Sequence, residues 1–145
     1  MKRCYATLFF LTVFINLLQA QSYYFRHYQV EQGLSFNTVF DIHQDSKGFL
    51  WFASKDGLNR FDGYSFKVFR NNPTDSNSIG SNIIMTVYED PSKTLWIGTS
   101  KGLYQYNDTT ELFSPVKSTI NMFVNEVKLD KRGNVCFIAG GQVYL

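Results

Sequence analysis

The chain has 145 residues, with 14 basic and 12 acidic side chains, two cysteines and an aromatic content of 17%. A formal net charge of +2 lacks the positive excess that nucleic acid or an anionic membrane surface demands, so neither is expected as a partner. With cysteine only at Cys4 and Cys136, a fold stapled by several disulfides is excluded as well.

Residues 1–20 carry the pattern of a secretory leader. Lys2 and Arg3 form a positive start, Leu8 to Leu18 is mostly apolar, and Leu18-Gln19-Ala20 can serve as a cleavage site. The apolar stretch is far shorter than the ~20 residues that span a bilayer, and Asn16 interrupts it. A signal-peptide helix is therefore expected, with no membrane span after it. Its removal takes away Lys2, Arg3 and Cys4, which balances the remaining charges and leaves Cys136 alone.

Tyr23 to Val30, within a segment at 21–32, reads as a strand preceding the first repeat. Val39 to Gln44 is the next strand, and Asp45-Ser46-Lys47-Gly48 supplies a turn. Phe49 to Ala53 follows, then the hairpin Ser54-Lys55-Asp56-Gly57, then Leu58 to Phe61. After Asp62-Gly63, Tyr64 to Arg70 reads as an outer strand. Asn71 to Ser81, rich in Asn, Ser and Asp, is a connecting loop. The same order of signals starts again near Asn82, and a third time near Asn121. No segment after residue 20 shows a sustained helical period, so the class is all-β.

The chain repeats itself. Gly48-Phe49-Leu50-Trp51-Phe52-Ala53-Ser54 returns as Thr94-Leu95-Trp96-Ile97-Gly98-Thr99-Ser100, and Trp51 and Trp96 lie 45 positions apart. A weaker third copy runs through Val124 to Asp130 and Gly133 to Ile138, with Cys136 in the tryptophan position. Periods of roughly 40–50 residues belong to propeller blades and similar arrays. The expected architecture is an incomplete β-propeller of about two and a half to three four-stranded antiparallel blades, at 33–78, 79–118 and, in part, 119–145. Such blades cannot close a ring, which takes at least ~4. Trp51 and Trp96 are assigned to packing between blades, and Gly57, Gly102 and Gly141 to turns, Gly141 falling one residue early.

Three strings carry a family resemblance: Gln32 to Val39, Gln44 to Trp51, and Asp56-Gly57-Leu58-Asn59-Arg60-Phe61-Asp62-Gly63. They resemble the opening blade of the two-component regulator propeller family, and Ser81 to Ile84 with Leu95 to Tyr104 resemble its next blade. The resemblance implies the periplasmic sensor of a hybrid regulator in gram-negative bacteria. In such proteins a small β-sandwich, a membrane helix, a histidine kinase core, a receiver and a DNA-binding module follow. It also implies a response to glycan breakdown products, with an oligosaccharide as ligand. On this reading the chain is expected to be the N-terminal piece of a longer sensor, without the kinase module.

Nothing in the residues points to catalysis, a metal or a cofactor. The glycosidase type of propeller places Asp and Gly one residue apart ahead of an aromatic, whereas Asp45 and Gly48 have two residues between them. His27 and His43 lack partners at metal spacing. His43 aligns with Tyr88 and Lys128, which suits a tolerant strand position. Asp41, Thr86 and Glu126 fall in one register of the innermost strand, so they are the ligand-binding candidates, set against a plain role as hydrated face residues. Two further readings stand beside the sensor: a small exported β-repeat interaction protein that self-associates, and a glycosidase-like fragment. The expected partners are accordingly the remaining blades or a second copy.

Overall fold

The computed structural model describes residues 23–145, so the expected leader lies outside the described residues. Eleven strands form three antiparallel sheets. The first contains β1 (Val39–Gln44), β2 (Leu50–Ser54), β3 (Gly57–Phe61) and β4 (Phe66–Phe69) in chain order. The second contains β5 (Ile84–Glu89), β6 (Leu95–Thr99), β7 (Gly102–Asn107) and β8 (Leu112–Pro115) in the same meander. The third contains β9 (Val124–Leu129), β10 (Val135–Ala139) and β11 (Gln142–Tyr144). This is the all-β, blade-by-blade architecture expected from the repeat.

Two expected strands differ. Tyr23 to Gln29 joins no sheet, and Val30–Gln32 forms a single 3-10 turn closed by Gly33 in the left-handed region. Tyr28 alone of this segment is well placed against the first sheet, its ring 4.9 Å from Phe61 and 5.7 Å from Phe66. The outer strand of blade 1 begins at Phe66 rather than Tyr64, because the Asp62 carboxylate accepts the Tyr64 and Ser65 amides at 2.8 and 2.7 Å and holds both in the turn.

Each blade is organised by one aspartate after its inner strand. Asp45 Oδ1 accepts the Lys47 and Phe49 amides at 3.0 and 2.9 Å, while Oδ2 accepts the Trp51 indole N–H at 2.8 Å. Asp90 repeats this with the Thr94 amide at 3.0 Å and the Trp96 indole at 2.9 Å. Asp130 accepts the Arg132 and Asn134 amides at 2.7 and 2.8 Å, and the Asn134 side-chain amide at 2.9 Å stands in for the missing indole. Those bonds, the Asn134 side chain first, hold the Asp130 carboxyl below the usual carboxylate range.

The tryptophans are not equivalent. Trp51 is fully buried between blades, its ring 5.0 Å from Tyr106 of the second sheet and 5.9 Å from Phe69. Truncating such a side chain typically destabilises a fold by about 3–5 kcal/mol. Trp96 is only half-buried, against a smaller cluster around Leu103, Val124 and Val127. Arg60 adds a charged tie beside Trp51. Its guanidinium lies 4.8 Å from the Phe49 ring centre and donates to Tyr106 Oη at 3.1 Å and Glu111 Oε1 at 3.0 Å. Burial pushes the Tyr106 phenol up to about 12.

The third hairpin has Gly141 in its turn, one residue ahead of the place of Gly57 and Gly102. Ala139 pairs with Gln142 as Ser54 pairs with Gly57, so Gln142 occupies the place of Gly57 and Gly102. Gly140 and Gly141, at φ 56° and 78°, form the tip itself, which is the backbone a tight hairpin needs. At Gly57, with φ +121°, a β-carbon would meet the Phe69 carbonyl at 2.8 Å.

One residue breaks the pattern of the aspartate turns. Gly48 and Gly133 take φ 91° and 86°, whereas Lys93 takes φ 69° at the same step, donating its amide to the Asp90 carbonyl as the glycines do to Asp45 and Asp130. An L-residue there is held in a disfavoured region at roughly 1 kcal/mol. Lys93→Gly is therefore expected to stabilise the chain by about 0.5–1 kcal/mol in urea denaturation, offset in part by added freedom of the unfolded chain. A destabilised variant would show that the Lys93 side chain contributes more than its backbone costs.

Candidate functional site: the axial groove

The inner strands β1, β5 and β9 share an irregularity. Val39 pairs with Ser54 and Asp41 with Ala53, so Phe40 is an unpaired bulge residue. Met85 is skipped in the same way between the pairs Ile84–Thr99 and Thr86–Gly98. Asn125 is skipped between Val124–Ala139 and Glu126–Ile138. A bulge bends its strand and re-aims the side chains that follow. Here three bulges in one register curve the inner strands around a common groove of about 450 Å³.

All three candidate residues line this groove, together with His43, Tyr88, Asn125 and Lys128. Asp41 and Thr86 are in direct contact, and Glu126 is not part of that bond. Asp41 Oδ2 accepts from Thr86 Oγ1 at 2.9 Å and from the Val87 amide at 3.0 Å, while Oδ1 accepts the Ile42 amide at 2.8 Å. Three donors thus occupy the carboxylate, which ties the inner strand of blade 1 to that of blade 2. Glu126 instead pairs with Lys128 on its own strand, an interaction that raises the Lys128 ammonium above its ordinary value. Between blades 2 and 3 the approach is made by Gly98, where a β-carbon would lie 2.6 Å from Thr86 Cγ2 and 3.0 Å from Val124 Cγ1.

His43 was invisible as a participant, because its register partners Tyr88 and Lys128 share no chemistry with it. In the structure its Nε2 accepts the Glu89 amide of blade 2 at 3.2 Å. The Glu89 carboxylate in turn receives the Ser46 amide at 2.8 Å and the Ser46 hydroxyl at 2.9 Å. The bulge residues Phe40, Met85 and Asn125 were also missed, since a one-residue slip in pairing leaves no mark on composition. Arg60 could have been found: a cation inside the string Asn59-Arg60-Phe61, surrounded by aromatic-rich strands, calls for an acidic or aromatic partner.

Chemically the groove offers the exposed Phe40 ring, the half-buried Tyr88, an amide, a carboxylate–ammonium pair and an imidazole, which suits hydrogen bonding to a polar ligand. Among the described residues no group of three or more His, Cys, Asp or Glu converges as a metal site. The Asp41 tie generates a double-mutant test. Asp41→Ala is expected to cost about 2 kcal/mol of stability and Thr86→Val about 1 kcal/mol. The double variant should lose about 1 kcal/mol less than the sum, as residues in one bond do. Strict additivity in urea titrations would show that the two side chains act independently.

Comparison with known proteins places this geometry. Residues 33–56 and 78–101 match the two component regulator propeller family. The chain is 49% identical over 61 residues to Histidine kinase P4 of Formosa agariphila, an alignment that spans 42% of this chain and 4% of the kinase. Among solved structures it resembles the extracellular domain of BT3049 of B. thetaiotaomicron, described as a hybrid two component system. The TM-score is 0.67 at 30% identity, covering 83% of this chain and 20% of the other. The extracellular domain of BT4673 from the same organism, described as a one component system, shares the fold at a TM-score of 0.67 and 21% identity, covering 86% and 19%. The chain thus spans about a fifth of those domains and a small part of the kinase. Two repeats of the chain thus match the two component regulator propeller family, and the third sheet is built on the same aspartate turn and inner-strand bulge.

Proposed function

We propose that this chain is the ligand-sensing part of a periplasmic propeller in a hybrid two-component regulator, and that its ligand is an oligosaccharide released from a glycan. The observation that carries the reading is the convergence of three bulged inner strands on one polar groove with aromatic edges. Sugars are held by this mixture, with aromatic faces against their C–H surfaces and side-chain amides and charges on their hydroxyls. Export is supported by the leader pattern at 1–20 and by the extracellular character of the domains it resembles. The chain itself supplies binding, and the catalytic step belongs to a kinase module elsewhere in the regulator.

A second reading, self-association, is favoured by the outward face of the third sheet, where Val143 is 68% exposed beside Cys136 and Ile138. Sedimentation at micromolar concentration separates the two. A monomer removes self-association, and a discrete oligomer supports it.

Calorimetric titration of the chain with a panel of neutral and acidic oligosaccharides tests the first reading. At least one is expected to bind, and Asn125→Ala or Tyr88→Ala should weaken it about tenfold, the loss of one good hydrogen bond or stacking contact. Binding that neither substitution touches would move the site away from the groove. Failure of the whole panel, both on this chain and on the complete extracellular region, would end the oligosaccharide reading.

A further inference from the structure

Blades 1 and 2 are joined at their inner strands by two acceptors of different kinds. The Asp41 carboxylate accepts the Val87 amide at 3.0 Å, and the neutral Nε2 of His43 accepts the Glu89 amide at 3.2 Å. A carboxylate stays an acceptor throughout the physiological range, whereas an imidazole that takes up a proton becomes a donor on both nitrogens. We propose that His43 is a proton-operated latch between the inner strands of blades 1 and 2, closed when the ring is neutral and opened by its protonation. The inference does not depend on what the groove binds.

The surroundings define the latch. On its own strand His43 lies between Ile42 and Gln44 with the Asp41 carboxylate two residues back on the same face, and on β2 it faces Trp51, which bears no charge. From β5 it meets the Tyr88 ring at 6.0 Å and the Glu89 backbone. The Glu89 carboxylate is already held by Ser46, from the turn that follows β1. Across the groove stand Glu126 and Lys128 of β9. Once Nε2 carries hydrogen, the Glu89 N–H faces a second donor and the bond is lost. Opening therefore loosens the Glu89 amide tie at the end of β5 while leaving the Asp41 tie in place.

Amide hydrogen exchange on the full chain reads this directly. After correction for intrinsic rates, protection of the Glu89 amide is expected to fall about tenfold between about pH 7.5 and about pH 5.5, while Val87 is unchanged. His43→Gln, which offers an amide oxygen that does not titrate, should protect Glu89 equally at both values. Equal loss at Glu89 and Val87 would mean general acid loosening and would overturn the proposal. So would constant protection at Glu89 in the native chain. If the Gln variant fails to fold, the wild-type comparison of the two amides still decides.

Discussion

Everything in this chain is arranged around the aspartate that ends each inner strand. One carboxylate fixes the turn into the second strand through its first oxygen and orients that strand's largest side chain through its second. The turn sets the register of the hairpin, and the orientation sets which face of the blade carries the bulky indole. A tryptophan whose N–H is satisfied at the blade's edge can bury its ring without leaving a donor unpaired. In the third blade the same turn survives although the indole is gone, because Asn134 returns an N–H to Asp130. The turn is thus the invariant of the repeat, and the indole a feature built upon it.

The blades themselves are separate sheets, so no backbone ladder crosses a junction, and packing, side-chain bonds and single backbone bonds such as Gly57 to Asn82 and Asn121 to Lys101 hold them together. At the first junction this is done generously. A continuous apolar cluster includes Trp51, Ala53 and Leu58 on one side and Val87, Ile97, Tyr106 and Phe113 on the other. Asp41, His43, Ser46 and Arg60 then supply polar ties along both rims. The second junction has a smaller buried cluster and relies on a glycine, Gly98, to bring the strands close. The two junctions of one short array are therefore built by different means from equivalent strand positions.

Much of this was legible. The period, the strand order and the turn aspartates follow from spacing and turn chemistry, because those features act locally and leave their residues in the sequence. The Tyr64 end of β4 was misjudged because Asp62 captures two amides that a continuing strand would need. The segment at Tyr23 has strand composition, yet strand formation needs a neighbouring edge, and composition does not reveal one. Within the groove, Asp41, Thr86 and Glu126 could be grouped by register, but which of them bond to each other depends on the bulges. His43 escaped notice because what it accepts is a backbone amide, and backbone amides look alike in every sequence.

The ties from the strands and turns of blade 1 to blade 2 reach at most 61 positions along the chain, at Lys47–Asp108. That distance is little more than one repeat. Each junction can therefore form as soon as the following blade exists, without waiting for a distant segment of chain. Assembly of this kind advances as a front along the polypeptide, one closure at a time, at a rate governed by a loop of fixed size. The same geometry runs in reverse under load, so that blades would come apart in succession, with the thinner junction at Gly98 parting before the one filled by Trp51.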